Sequence, residues 1–199
     1  MPRLLGLAQA SKVYRHVEAL NGNKNFSNKG NEVAWGTIGN ASTSEGLFFE
    51  TINAAGVLQV PLAVFVWDDG YGISVPIEFQ TTKSSISKAL AGYQRTPTEK
   101  GLEIIQVKAW DYPGLIEAYK KAAKLAREEM VPCLVHVIEC TQPQGHSASG
   151  SHERYKSADR LQFEHEADCN VHSSAARFRA NRCMVELHLL RFERLNFSA

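Results

Sequence analysis

The amino-acid sequence predicts an α/β fold, a three-layer sandwich in which helices cover both faces of a mostly parallel sheet. Four short apolar runs, rich in β-branched and aromatic residues, are each bounded by turn residues, which is typical of buried parallel strands. Stretches with helical periodicity separate these runs, and strands that alternate with helices form parallel sheets. The predicted strands are Val33–Ile38, Leu62–Trp67, Leu102–Val107 and Val131–Ile138.

The first two strands and the helix between them form a predicted βαβ unit, whose crossover is right-handed in nearly all proteins. The helix is predicted over Ser42–Leu58, because Ser42 and Glu45 have the spacing of a capping box at its start. Its buried face is marked by residues that recur at spacings of four and three. These residues are Phe48, Ile52 and Ala55.

The other helices follow from the same periodicity and from capping residues. Asp111 is predicted to cap a helix with Pro113 in its first turn, where proline is tolerated. His136, within the last strand, is interpreted as a packed core histidine, and His152 as a surface histidine. The further predictions are a helix at Leu4–Leu20, a polar loop at Asn21–Asn31, a helix at Lys83–Tyr93 capped by Thr82, and a helix at Ala158–Cys169.

Polar residues follow the first two strands, at the sheet edge where parallel α/β proteins bind ligands. Gly39-Asn40-Ala41-Ser42 precedes a helix N-terminus, whose free N–H groups and dipole suit a phosphate. Asp68-Asp69-Gly70-Tyr71 follows the second strand, so Asn40 and Asp69 are expected to approach one point. Two side-chain oxygens, a backbone carbonyl near Tyr71 and a diphosphate match the oxygen shell of a hard divalent cation.

This stretch resembles the thiamine diphosphate motif, in which Gly-Asp-Gly is followed about one βαβ unit later by Asn-Asn. It is similar to the alpha subunit of the first component of 2-oxo acid dehydrogenase complexes, which implies a thiamine diphosphate-binding fold. By that pattern, Mg²⁺ or Ca²⁺ would be held by the side chains of Asn40 and Asp69 and the main-chain carbonyl of Tyr71. The cofactor-binding residues that the resemblance implies are Gly39, Asn40, Ala41, Ser42, Asp69, Tyr71 and His146.

The chain departs from the family pattern in a reciprocal way. Asn40 stands where the family has its Asp, and Asp69 stands where the family has its ligating Asn. The pair therefore still offers one carboxylate and one amide oxygen, which supports metal binding. Ala41 stands where the family has a second glycine, and its Cβ restricts positive φ.

A long polar loop, Thr141–Lys156, follows the last strand at the same edge, as functional loops often do. Gly145-His146-Ser147-Ala148-Ser149 resembles the family's Gly-His-Ser-x-Ser active-site loop, and Tyr155-Lys156-Ser157 resembles its Tyr-Arg-Ser. The resemblance gives His146 a catalytic role over the cofactor in acyl transfer. Histidine titrates near neutral pH, which suits proton transfer. Ser147 matches a serine that is phosphorylated in some relatives.

The resemblance implies an oxidoreductase that decarboxylates a 2-oxo acid oxidatively and passes the acyl group to a lipoyl group on a partner acyltransferase. The family takes its activating glutamate from a beta-type subunit in a heterotetramer, so this chain is expected to be active only with such a half. Residues 1–170 are expected to form the diphosphate and metal half of the cofactor domain, with a truncated front. Residues 171–199 form a tail whose structure the sequence does not define.

Three other interpretations stay open at this point. The first is that the chain is a non-catalytic cofactor-binding or docking subunit. The second is another thiamine enzyme, such as a transketolase-like one. The third is a flavodoxin-like nucleotide module. The last of these does not explain the paired Asn40 and Asp69.

The composition gives no support for a nucleic-acid-binding, membrane or disulfide-rich secreted protein. A net charge of +1 gives no argument for nucleic acid or anionic membranes as partners, and no apolar run is long enough to span a bilayer. The four cysteines lack CxxC spacing, and the N-terminus lacks a signal-peptide core. We therefore expect reduced thiols and a cytoplasmic location. The cysteines are Cys133, Cys140, Cys169 and Cys183.

Overall fold

A computed structural model describes residues 1–20, 25–146 and 151–168 of the chain. The helices are α1 (Pro2–His16), α2 (Gly46–Leu58), α3 (Ile86–Ala89), α4 (Tyr112–Glu129) and α5 (Ala158–Glu166). The strands are β1 (Ala34–Gly39), β2 (Leu62–Trp67), β3 (Tyr71–Gly72), β4 (Val75–Pro76), β5 (Glu103–Lys108) and β6 (Cys133–Ile138).

Four of these strands form a parallel sheet in the order β1-β2-β6-β5. Alternate residues of β2 enter two separate cores, so helices cover both faces of the sheet. Val64 packs with α2 and α3 residues such as Ile52 and Ile86 on one face. Phe65 packs with α4 residues such as Ala122 on the other. The predicted three-layer α/β fold is confirmed.

The position of each strand in the sheet explains how far its residues are buried. The central strands β2 and β6 are buried along almost their whole length, because both have neighbours on either side. The outer strand β1 alternates between half-buried and exposed residues. Its Trp35 stacks on Phe65 with ring centroids 5.2 Å apart, and Phe65 stacks on Tyr119 of α4 at 4.2 Å. All four strands of the sheet were predicted from their apolar runs, and each prediction is confirmed to within two residues.

Helix beginnings were predicted less well than helix faces. The predicted capping box is wrong, because Ser42 lies in a 3₁₀ turn, Ala41–Ser44, and α2 begins only at Gly46. Glu45 is the N-cap of α2 and makes no side-chain capping bond. The helix after Thr82 is also shorter than predicted, since α3 spans four residues and Ser85 caps it. Phe48, Ile52 and Ala55 are nevertheless fully buried, as predicted.

Helix α4 begins as the sequence predicted. Asp111 is its N-cap, and the Asp111 carboxylate accepts the N–H of Gly114 at 3.0 Å, with Pro113 in the first turn. Ala122 and Ala126 are fully buried on the inner face of the helix.

None of the helices in the described ranges is long and apolar enough to cross a membrane. Cys133 is a free thiol buried beneath α4, and burial raises its pKa to about 12. The predicted tail, 171–199, lies outside the described residues, so the domain boundary stays a prediction.

Candidate functional site

The carboxyl ends of three strands meet at one edge of the sheet. Gly39 at the end of β1 is in register with Trp67 at the end of β2. The next residue, Asn40, donates its N–H to the carbonyl of Trp67 at 3.0 Å. On the other side of β2, Cys140 donates its N–H to the carbonyl of Asp68 at 3.0 Å. The turns that follow β1, β2 and β6 are therefore held side by side.

A cavity of about 700 Å³ opens between these turns. All seven residues that the sequence predicted for the site line it: Gly39, Asn40, Ala41, Ser42, Asp69, Tyr71 and His146. Residues that sequence reasoning missed complete the wall: Glu45, Trp67, Gly72, Ile73, Val75, Gln80, Cys140, Thr141 and Gln142. The residues predicted from separate parts of the sequence therefore lie around one cavity.

The side chain of Asn40 is buried at the edge of the cavity. The residue is 3% exposed, and its Nδ2 has no hydrogen-bond partner among the described residues. Its carbonyl accepts the N–H of Thr43 at 3.1 Å, which fixes the tight turn after β1. A half-turn of the amide exchanges its oxygen and nitrogen, so the side chain is able to present an oxygen ligand. A buried amide without a partner is costly, and a bound ligand would remove that cost.

Asp69 is the buried carboxylate of the site, with 9% of its surface exposed. Its Oδ1 accepts the N–H of Tyr71 at 3.1 Å. Burial raises the pKa of Asp69, against the opposing effects of this hydrogen bond and the positive charge of Lys156. Desolvation thus outweighs these two effects, and a bound cation would favour the ionised carboxylate.

The residues at this edge fit a hard cation that takes some of its oxygen ligands from the protein and the others from a bound anion. Within the described ranges, no three His, Cys, Asp or Glu side chains form a cluster able to hold a metal alone. The candidate ligands are instead one amide, one carboxylate and one main-chain carbonyl, at Asn40, Asp69 and Tyr71. Mg²⁺ is commonly bound in this way, through one or two protein ligands together with phosphate oxygens.

A buried hydrogen-bond network supports the Asp69 turn from within the sheet. His136 is 1% exposed, which confirms the predicted core histidine. Its Nε2 lies 2.7 Å from Oδ2 of Asp68, and its Nδ1 lies 3.0 Å from the Ser87 hydroxyl. The other Asp68 oxygen accepts the N–H of Gly70 at 2.8 Å. Asp68 therefore fixes the turn that presents Asp69, a role that sequence reasoning missed.

The hairpin β3–β4 forms one wall of the cavity and contains a strained residue. Ile73 at its tip has φ +59°, a conformation that is rare for a β-branched side chain. At the start of the hairpin, a Cβ on Gly72 would lie 2.8 Å from the Cβ of Ala41. Ala41 itself lies in a 3₁₀ turn and does not have positive φ. The turn after β1 thus accommodates alanine where the family has glycine.

The loop after β6 brings His146 to the cavity. Gly145 has φ +74° and donates its N–H to the carbonyl of Gln142 at 2.9 Å, which closes a tight turn just before His146. A Cβ on Gly145 would lie 2.7 Å from Nδ1 of His152. The His152 side chain is only 16% exposed, so the predicted surface histidine is wrong, and this residue packs against the turn. Ser147 lies outside the described residues.

A parallel α/β sheet with a cavity at its carboxyl edge, lined by a buried amide and a buried carboxylate, defines a ligand-binding α/β protein. The chain matches the model of the dehydrogenase E1 component family over residues 1–176, and it belongs to that family. The predicted resemblance to 2-oxo acid dehydrogenase alpha subunits is confirmed, and the family is one of oxidoreductases.

Three relatives illustrate the similarity. The chain is 31% identical over 133 residues to pyruvate dehydrogenase E1 component subunit alpha of Acholeplasma laidlawii, covering 67% of this chain and 32% of the relative. It is 29% identical over 127 residues to the mitochondrial 2-oxoisovalerate dehydrogenase subunit alpha 1 of Arabidopsis thaliana, covering 63% and 25%. It is 29% identical over 125 residues to 3-methyl-2-oxobutanoate dehydrogenase subunit alpha of Mycobacterium tuberculosis, covering 62% and 32%. The matches thus span a quarter to a third of these relatives.

Proposed function

We propose that this chain is an alpha-type part of a thiamine diphosphate-dependent 2-oxo acid dehydrogenase. In this proposal it holds the diphosphate and metal end of the cofactor. The observation that supports it is one cavity lined by all seven residues of the predicted site. Family membership supports the same cofactor, because the family motif is a thiamine diphosphate motif.

The residues of the cavity have distinct roles in this proposal. The Asn40 amide and the Asp69 carboxylate bind the cation from the ends of neighbouring strands, and the Tyr71 carbonyl adds a third oxygen. Residues 39–42 place the turn before α2 beside the diphosphate. Ile73 and Val75 add an apolar stretch to the wall of the cavity. When bound, thiamine diphosphate supplies the nucleophilic carbon that decarboxylation of a 2-oxo acid requires.

His146 is the catalytic residue of the proposal. Its imidazole lies in the wall of the cavity on the loop after β6, where a ring nitrogen is able to hold or deliver a proton during acyl transfer. The acceptor is the lipoyl group of a partner acyltransferase, and a beta-type subunit supplies the glutamate that activates the cofactor. We also infer a cytoplasmic location from the cysteine usage, since the buried Cys133 is a free thiol.

Exchanging the two metal-binding side chains tests the proposal. Asp69→Asn leaves two neutral amides, so Mg²⁺-dependent binding of thiamine diphosphate should weaken by about tenfold or more. The double variant Asn40→Asp with Asp69→Asn returns one carboxylate to the pair and should recover most of that affinity. The affinity for thiamine diphosphate is measured by quenching of tryptophan fluorescence, because Trp67 lines the cavity.

The matched control is Glu99→Gln, which makes the same change of charge at an exposed loop position. It should leave the affinity unchanged. A double variant that binds no better than Asp69→Asn would contradict a shared ion. Binding of a nucleotide in place of thiamine diphosphate would contradict the cofactor assignment.

A further inference from the structure

Three charged side chains after the His146 loop form an ionic cluster, in which Lys156 and Glu164 are buried and Arg160 is partly exposed. The side chains of Lys156 and Glu164 are 2% and 0% exposed, and the Lys156 Nζ lies 2.8 Å from both Glu164 oxygens. Arg160 donates from Nε to Glu164 Oε1, also at 2.8 Å. Burying charges in this way costs desolvation free energy, and apolar residues of similar volume often stabilise a fold equally well. The cluster therefore calls for a reason beyond stability.

The free end of Arg160 indicates that reason. Its Nη2 donates to the carbonyl of Asp69 at 2.7 Å and lies 3.4 Å from the carbonyl of Cys140. These carbonyls belong to the chain just beyond β2 and just beyond β6. One guanidinium thus bridges the turn that presents Asp69 and the loop that carries His146. A planar group with five donors is suited to such a bridge.

The same cluster packs against the ring of Tyr71. The Lys156 Nζ lies 5.3 Å from the ring centroid of Tyr71, and the Arg160 Cζ lies 5.7 Å from it. With two cations and one carboxylate, the cluster carries one net positive charge next to the Asp69 turn. Aromatic packing and charge complementarity thus add to the hydrogen bond that Arg160 makes to the main chain.

We propose that Arg160, held in place by Glu164, is a positioning residue that joins the ends of β2 and β6 and so sets the spacing of the metal-binding turn and the His146 loop. The inference rests on the proposed function for the identity of the ligand. Its structural part, the coupling of the two strand ends through α5, stands on the contacts alone.

Two substitutions in the full chain test this role. Arg160→Gln removes the bridge and the charge. Arg160→Lys keeps a charge for Glu164, but its single nitrogen cannot replace a guanidinium that donates from separate nitrogens to Glu164 and to the Asp69 carbonyl. Arg154→Gln is the matched control, because Arg154 is an exposed arginine in the 3₁₀ turn that precedes α5.

The first measurement is amide hydrogen exchange, resolved by peptide, in the ligand-free chain. Both Arg160 variants should speed exchange at residues 68–71 and at 140–142, and Arg154→Gln should not. The second measurement is the Mg²⁺-dependent affinity for thiamine diphosphate, which should fall about tenfold in both Arg160 variants. The apparent affinity for Mg²⁺ should fall in parallel.

The outcomes separate positioning from mere helix docking. Faster exchange confined to α5, with unchanged affinity, would overturn the inference, as would an Arg160→Lys variant that matches the parent in both measurements. If the parent chain binds no thiamine diphosphate, the proposed function fails, and hydrogen exchange alone tests whether Arg160 couples the ends of β2 and β6. In that case, faster exchange at both 68–71 and 140–142 in the Arg160 variants supports the coupling, and unchanged exchange at either segment overturns it.

Discussion

At the scale of single residues, the cavity concentrates features that cost stability. Within the described ranges, the buried amide nitrogen of Asn40 has no hydrogen-bond partner, Asp69 is a buried carboxylate, and Ile73 has a strained backbone. Each of these features is unfavourable in the ligand-free chain, and strained or unsatisfied groups of this kind cluster at functional sites. Their occurrence around one cavity therefore supports its assignment as the candidate functional site.

The pH dependence of stability should reveal the contribution of Asp69. Because burial raises its pKa in the folded chain, its favourable contribution exists below the carboxyl's ordinary pKa and is lost as the pH rises through the raised value. Asp69→Asn should therefore raise the melting temperature of the ligand-free chain at pH 7, and the gain should shrink as the pH falls towards about 4. Thermal melts across this pH range measure it.

Glu99→Gln serves as the control, because this residue is exposed and lies in a loop. Its melting temperature should follow that of the parent chain across the same pH range. A gain from Asp69→Asn that does not vary with pH would show that something other than ionisation causes it.

At the scale of the elements, capping bonds distinguish the helices of the chain. Asp111 closes the first turn of α4 with a hydrogen bond to Gly114, and Ser157 closes α5 by accepting the N–H of Arg160. In contrast, α2 begins without a side-chain cap, directly beside the cavity. The helix start that faces the candidate ligand thus lacks the side-chain cap that α4 and α5 have.

Removing the cap of α4 should destabilise the fold without touching the cavity. Asp111→Ala should cost about 1 kcal/mol of unfolding free energy, because the N–H of Gly114 loses its acceptor. Urea denaturation measures this loss. Asp111→Asn should retain most of the stability, since an amide oxygen also caps. Equal losses in the two variants would contradict the capping explanation.

The sequence predicted the strands better than the turns between them, for physical reasons. The apolar runs of β2 and β6 are visible because central parallel strands are buried on both faces. The hairpin β3–β4 was missed because two-residue strands show no periodicity. Arg160 and Glu164 have the spacing of an ordinary exposed helix pair, and only packing reveals that Glu164 is buried.

The candidate site was predicted through residues on the ends of strands, where topology determines proximity. Parallel strands place their carboxyl ends at one edge, so Asn40 and Asp69 were expected to approach each other. The pairing of the supporting residues was not predicted, because His136 and Asp68 lie far apart in sequence and meet only through the register of β2 and β6. A contact between distant residues leaves no local pattern.

At the scale of the whole molecule, one cavity at the edge of the sheet collects the residues of the candidate site. The cavity holds candidate ligands for a metal and a diphosphate, together with His146. The matched relatives are three to four times the length of the region that the chain shares with them. In the proposed function, the activating glutamate comes from a beta-type half.

This division of labour predicts that the chain alone binds the cofactor weakly and does not turn over substrate. Release of CO₂ from a branched-chain 2-oxo acid, with Mg²⁺ and thiamine diphosphate present, should stay at background. Addition of a beta-type half should produce activity, and His146→Ala should then reduce acyl transfer to a lipoyl acceptor. Turnover by the chain without any partner would contradict the division.

The contact between Ala41 and Gly72 constrains how the two turns are able to diverge in sequence. A Cβ on Gly72 would lie 2.8 Å from the Cβ of Ala41 and closer still to the Nε2 of Gln80, so it would meet both the turn after β1 and the Gln80 side chain. Removing the methyl group at position 41 therefore does not by itself make room for one at position 72. A side chain introduced at position 72 requires compensating changes at positions 41 and 80 together.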